Sequence, residues 1–90
     1  MTGDGVLALT DLANGQRGVI ASVQASGELV DAATVQRLNE LGFLPGEPVR
    51  VVQRGPGGRE PIAVQVGDTL FALRWVEARC IEVQAEADHV

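Results

Sequence analysis

Arg37-Leu38-Asn39-Glu40-Leu41-Gly42-Phe43-Leu44-Pro45-Gly46, followed by Val49-Arg50-Val51-Val52, holds a helix, its stop, a turn and the start of a strand. Leu41 closes the apolar periodicity and Gly42 comes next. A glycine takes the left-handed conformation that ends a helix, after which Phe43 folds back on Leu38. Pro45-Gly46 supplies a turn, because proline presets one backbone angle and glycine tolerates positive φ. Val49 and Val51 then alternate with Arg50, as in a half-buried strand.

Upstream of this stretch, Asp31 reads as the helix N-cap, with Val30 stapled onto Val35. Val35, Leu38 and Leu41 form one stripe at three-residue steps, and Gln36, Asn39 and Glu40 lie away from it. Gly18 to Val23 reads as the first strand, with Val19, Ala21 and Val23 on one face and Ile20 and Ser22 on the other. Leu7, Leu9 and Leu12 form an apolar lead-in, and Asn14-Gly15 marks a turn.

Downstream, Val49 to Arg54 is a strand and Gly55-Pro56-Gly57-Gly58-Arg59-Glu60 a flexible loop. Pro61 to Val66 is the next strand, with Pro61 at its start, where a missing N–H is tolerated. Gly67-Asp68 is a tight hairpin turn and Thr69 to Arg74 the return strand. Trp75 to Arg79 is long enough for one helical turn, and Cys80 to Gln84 is the last strand. These segments predict a mostly β domain. It is a small five-stranded barrel, strongly bent, with one short α-helix between the first and second strands. Closing the sheet would hide its edges.

The pattern resembles the ferrous-iron transport protein A (FeoA) family, small cytosolic partners of a bacterial ferrous-iron transporter. That family's run is a helix ending in Arg-Leu, two more residues, Leu-Gly, an apolar pair and Pro-Gly. Here these are Arg37-Leu38, Leu41-Gly42, Phe43-Leu44 and Pro45-Gly46. Leu9, Leu12 and Gly15 match the family's opening, Pro61, Ile62, Val64 and Val66 its middle strand, and Ala72-Leu73-Arg74, Glu77-Ala78, Ile81 and Val83 its closing segment. The likeness covers roughly 9–83, leaving 1–6 and 85–90 as flexible ends of a single domain spanning 1–90. It implies an SH3-like barrel, in which Arg37, Leu38, Leu41, Gly42, Pro45 and Gly46 are structural. It also implies a non-enzymatic cytoplasmic accessory that binds the cytoplasmic part of the FeoB-type transporter. The alternative is a stand-alone metal- or protein-binding module related to the C-terminal SH3-like domain of metal-dependent repressors.

Composition narrows the field independently. Ninety residues suit one small core. Phe43, Phe71 and Trp75 are the aromatic residues, so Val, Leu, Ile and Ala must fill most of it. Twelve acids face seven arginines, with no lysine, for a formal charge of −5. That balance argues against a nucleic-acid partner and against an anionic membrane surface. No apolar run approaches the ~20 residues of a membrane span, and no signal peptide is visible. The single Cys80 fits a reducing cytoplasm.

Chemistry-bearing residues are sparse. The sole histidine, His89, stands next to the C-terminus. Cys80 reads as a small apolar residue in a strand. The glycine-rich loop lacks the lysine and helix of a phosphate-binding loop. An enzyme is therefore not expected, and no cofactor is required. Glu82 belongs to the acidic cluster that includes an imidazole, together with the tail residues Glu86, Asp88 and His89. These tail residues are the expected ligands of a weak Fe²⁺ or Zn²⁺ site, alone or bridging two molecules as a metal-mediated homodimer, against a simple solvated tail. Arg37 either lays its stem over the barrel and pairs with an acid or contacts a partner. Arg54 and Arg59 flank the glycine loop, and with Arg74 they are the expected partner-facing edge. Trp75 is either a core anchor or an interface hot spot.

Overall fold

The computed structural model describes residues 5–25 and 31–86. Its elements are β1 (Val6–Ala8), β2 (Arg17–Val23), α1 (Ala32–Leu41), β3 (Pro48–Arg54), β4 (Ile62–Val66), β5 (Thr69–Leu73), α2 (Trp75–Arg79) and β6 (Ile81–Ala85). All strand pairs are antiparallel and form one six-stranded sheet in the order β1-β6-β2-β3-β4-β5.

Two features differ from the expected five-stranded closed barrel. The lead-in is itself a strand, Val6 to Ala8 pairing with Gln84 to Glu82. The sheet therefore has six strands, and α1 follows β2 instead of lying between the first two. The sheet is also open: β1 and β5 end the strand order and do not pair with each other. Val6 and Ala85 both belong to paired strands, so the ordered chain reaches further at each end than 9–83.

The helix stop forms as its residue types dictate. Asp31 caps α1, its carboxylate accepting from the Thr34 N–H at 2.9 Å and the Thr34 hydroxyl at 3.0 Å. These bonds hold the Asp31 carboxyl below its usual pKa, because they favour the charged form. At the other end Gly42 adopts φ +119°. The Phe43 N–H then reaches back to the Leu38 carbonyl at 3.0 Å, the long bond of a glycine-ended helix. Pro45-Gly46 turns the chain, with the Glu47 N–H donating to the Leu44 carbonyl at 3.1 Å.

Leu38 and Phe43 are both fully buried, while Leu41 is 43% exposed. Leu41 therefore leaves the expected core stripe. The chain reverses immediately after it, so Phe43 and not Leu41 fills the space under the helix end. Phe43 packs on Phe71 with ring centroids 5.1 Å apart. The rest of the core is aliphatic apart from Cys80: Leu9, Leu12, Ile20, Val49, Val51, Ile62, Val64, Val66, Leu73, Ala78, Ile81 and Val83. The staple on Val30 falls outside the described residues.

Strand β2 carries a second correction. Its register against β6 shifts between Ile20 and Ser22, which pair with Val83 and Glu82. The extra residue is Ala21, so Val23 rejoins the side of Ile20, opposite Ile81, instead of sharing a face with Val19. A similar shift between Val51 and Gln53 in β3 brings Arg54 opposite Ile62, on the core-facing side. Both bulges add the twist that bends one sheet around a small core.

Candidate functional site

The short helix α2 has too few residues to be stable by propensity. It is held by a buried acid. The Glu77 side chain is 5% exposed, and its Oε1 accepts from the Arg74 backbone N–H at 2.9 Å. An arginine has no acceptor to return the favour, so this is half of a capping box. The second oxygen, Oε2, accepts from the Arg37 guanidinium of α1 at 2.9 Å and lies 3.6 Å from that of Arg74. One carboxylate thus ties α1, the end of β5 and α2 together and offsets one of the two positive charges of arginines whose side chains remain 62% and 69% exposed.

The loop after β3 joins the same cluster. The Trp75 backbone N–H donates to Glu60 Oε1 at 2.6 Å, and the Arg59 guanidinium stacks on the Trp75 ring at 4.2 Å from its centroid. Gly55 closes the loop base, donating its N–H to the Pro61 carbonyl at 2.9 Å. A Cβ on Gly55 would lie 2.5 Å from the Glu60 carbonyl oxygen and 2.7 Å from Pro61 Cδ, so glycine is required there. The loop is thereby docked rather than free. Arg59 covers the ring of a half-buried Trp75, Arg74 precedes it in the chain, and Arg37 and Arg74 meet at Glu77 two residues further on. Such a group suits recognition of another protein, since aromatic and arginine side chains contribute most to interface cores.

The three expected partner-facing arginines separate. Arg59 and Arg74 belong to this cluster. Arg54 does not: it points back under the N-terminal segment, donating to Asn14 Oδ1 at 2.7 Å and to the Thr10 and Leu12 carbonyls at 2.8 and 2.7 Å. The bulge in β3 aims it there. Sequence reasoning placed Arg54 at the surface because a charged residue beside a glycine loop usually sits there, and the bulge leaves no compositional trace. Arg37 pairs with an acid, as one of its two readings had it, and its exposed guanidinium also enters the cluster. Glu77 was missed. Its signal was an acid three residues after Arg74 at the start of a helical turn, the spacing of a cap.

Other candidates carry less. Cys80 is buried, and its thiol donates to the Glu77 carbonyl at 3.1 Å. Burial chiefly pushes its pKa up, so it is held as a neutral thiol. Glu86 is exposed at the end of the described chain, and Asp88 and His89 lie outside the described residues. Among the described residues no three His, Cys, Asp or Glu side chains come together to hold a metal ion, and no helix is long and apolar enough to cross a membrane.

Comparison with known proteins gives a consistent set. The model of the FeoA domain matches residues 7–85. The structure of FeoA from Stenotrophomonas maltophilia in complex with zinc is 46% identical, covering 84% of this chain and 87% of that one, with a TM-score of 0.74. That protein is described as a prokaryotic SH3-domain protein with a suggested role as an activating factor of bacterial ferrous-iron transport. FeoA from Chlorobium tepidum is 32% identical, covering 90% of this chain and 71% of that one, with a TM-score of 0.78. A manganese-dependent transcriptional repressor shares the fold at 17% identity, covering 96% of this chain and 45% of that one, with a TM-score of 0.76. Comparison with curated protein sequences gives no match.

Proposed function

The chain belongs to the FeoA family, and on that premise we propose that it is a cytoplasmic, non-enzymatic accessory of ferrous-iron uptake that binds the cytoplasmic part of a FeoB-type transporter. The observation that carries the proposal is Trp75 with Arg59 stacked on its ring and Glu60 on its backbone N–H, next to the Arg37 and Arg74 guanidinium groups that share Glu77. On a molecule of net charge −5, this is a local cationic surface with an aromatic centre. Its residues are already held in place, so a partner that meets them orders few further side chains. Binding would act on transport by favouring one conformation of the transporter over another, through differential affinity. The shared fold with the repressor supports kinship of architecture and no DNA-binding role.

The test follows from the geometry. Charge reversal of Arg54 would disturb the fold as well as any interface, so the informative variant is Arg59→Gln with Arg74→Gln. It is expected to fold like the parent, to lose pull-down of the transporter's cytoplasmic domain, and to lower ferrous-iron uptake in cells. Normal pull-down and uptake by a normally folded double variant would move the contact to the exposed helix face around Gln36 and Glu40.

The zinc bound by the Stenotrophomonas relative raises the question of a metal here. The described residues do not fit a built site, since Cys80 is buried and committed and Glu86 stands alone among them. The reading therefore keeps any Fe²⁺ or Zn²⁺ binding in the tail of Glu86, Asp88 and His89, weak and capable of bridging two molecules. Calorimetric titration with zinc should show a weak signal that disappears when 86–90 is removed, with an unchanged melting temperature. A tight site surviving the truncation would contradict this.

A further inference from the structure

A row of side chains crosses the outer face of the sheet. Arg17 of β2 stands opposite Arg50 of β3, Arg50 opposite Gln65 of β4, and Gln65 opposite Leu70 of β5. Residues directly opposite in antiparallel pairs share one face, so these four point to the same side. Arg17, Arg50, Gln65, Pro48, Val49 and Gly67 line a cavity of about 300 Å³ at one end of the row. Leu70 stands at the other, 62% exposed.

Two like charges directly opposite on neighbouring strands repel and destabilise the pair. An acid beside them would normally relieve this. Among the described residues neither Arg17 nor Arg50 lies in an ion pair, although Glu47 and Asp68 adjoin the lining in sequence and the Glu86 backbone N–H donates to the Arg17 carbonyl at 3.1 Å. The one side-chain bond here runs from the Arg50 guanidinium to Gln65 Oε1 at 3.1 Å. It orients Arg50 and takes up one lone pair of the amide oxygen, and the Gln65 NH₂ stays available to donate. The polar side chains of the cavity therefore offer mainly donors, most of them on the two cationic guanidinium groups. That complement matches an anion, and the planar guanidinium forks match a carboxylate.

We propose that this cleft binds an acidic peptide segment of a partner protein, with a carboxylate between Arg17 and Arg50 and an apolar side chain on Leu70. The row sets the spacing. Three strand intervals separate Arg17 from Leu70, about 14 Å, which an extended peptide covers in about four residues. The exposed leucine in register with the arginines is what favours a peptide over a small free anion. The cleft is built from different residues than the Arg59–Arg74–Trp75 cluster, and its test does not depend on the transporter.

The probe is an acetylated and amidated hexapeptide of two glutamates, three alanines and a leucine, titrated into the whole protein and followed by amide NMR shifts and calorimetry. Shifts should concentrate at Arg17, Arg50, Gln65 and Leu70, saturate, and weaken as salt rises. The glutamine version of the peptide should bind about tenfold more weakly or worse, the loss expected for about 1.4 kcal/mol of charge-assisted bonding. Arg17→Gln with Arg50→Gln should abolish saturation while melting at or above the parent temperature, since it removes a repulsion. Arg59→Gln with Arg74→Gln should leave the titration unchanged. Absence of saturation, or binding that survives the Arg17/Arg50 variant, overturns the proposal. Inorganic phosphate binding the same residues as tightly as the peptide overturns the peptide assignment in favour of a simple anion. A parent that sediments as a dimer, with the Arg17/Arg50 variant monomeric, overturns it in favour of a second copy of this chain.

Discussion

Single residues carry the local logic of this molecule. Gly42 has φ +119°, and a Cβ added there meets nothing nearer than Val66 Cγ1 at 3.9 Å. Space is therefore not the constraint; backbone conformation is. Gly42→Val should cost about 1–3 kcal/mol in chemical denaturation, entirely as strain, and an unchanged midpoint would remove the basis for the helix stop. Arg54 is the opposite case, a charged side chain whose value lies inside the fold. Its three bonds anchor the segment from Thr10 to Asn14 against β3. Arg54→Ala leaves those acceptors without a donor and should destabilise by about 2 kcal/mol, whereas Arg50→Ala, exposed on the outer face, should shift the melting temperature little. Equal melting of the two variants would contradict the fastener role. The glycine stop, the Asp31 cap and the Pro45-Gly46 turn were all legible in the sequence because each depends on a residue type with a local backbone preference. The direction of Arg54 was not, because it depends on a bulge that shifts register without any marker residue.

At the level of elements, the helix α1 shows how a period is read and where it fails. Val35, Leu38 and Leu41 keep a three-residue step, yet the step outlives the buried face. The chain turns at Gly42, Phe43 takes the core position, and Leu41 and Leu44 are left exposed on either side of it. Leu38→Ala should cost about 2–4 kcal/mol, and Leu41→Ala less than about 1 kcal/mol. Similar losses for the two would put Leu41 back in the core. The strands teach the same lesson. Alternation located β2, β3, β4, β5 and β6 to within a residue or two, because half-buried strands impose a period of two. It assigned Val23 to the wrong side, since one extra residue at Ala21 reverses every side chain beyond it. It passed over β1 because three residues are too few to show a period. The short α2 was foreseen as a turn, while its dependence on Glu77 is a tertiary fact that links Glu77 to Arg37 and to Arg74 across 40 and 3 residues of sequence separation.

For the whole molecule, one open sheet with a small aliphatic core supports a surface of sharply divided character. The net charge is −5, yet Arg59 stacks on Trp75, Arg37 and Arg74 share Glu77 two residues along the same helix, and Arg17 and Arg50 face each other on the sheet. The family and its mostly β architecture could be read from the order of the apolar, glycine and proline positions. The surface could not, because convergence of Arg37, Arg59 and Arg74 requires α1, the β3–β4 loop and α2 to be in place together. The central claim is that this convergence is a docking surface for the transporter's cytoplasmic domain. The most direct test is the affinity of that domain for the parent and for the Arg59→Gln/Arg74→Gln variant, measured by calorimetry at low and at moderate salt. The account predicts tight binding by the parent that weakens with salt, and a loss of about tenfold or more in a variant of unchanged melting temperature. Equal affinity of the two proteins at both salt concentrations would contradict it.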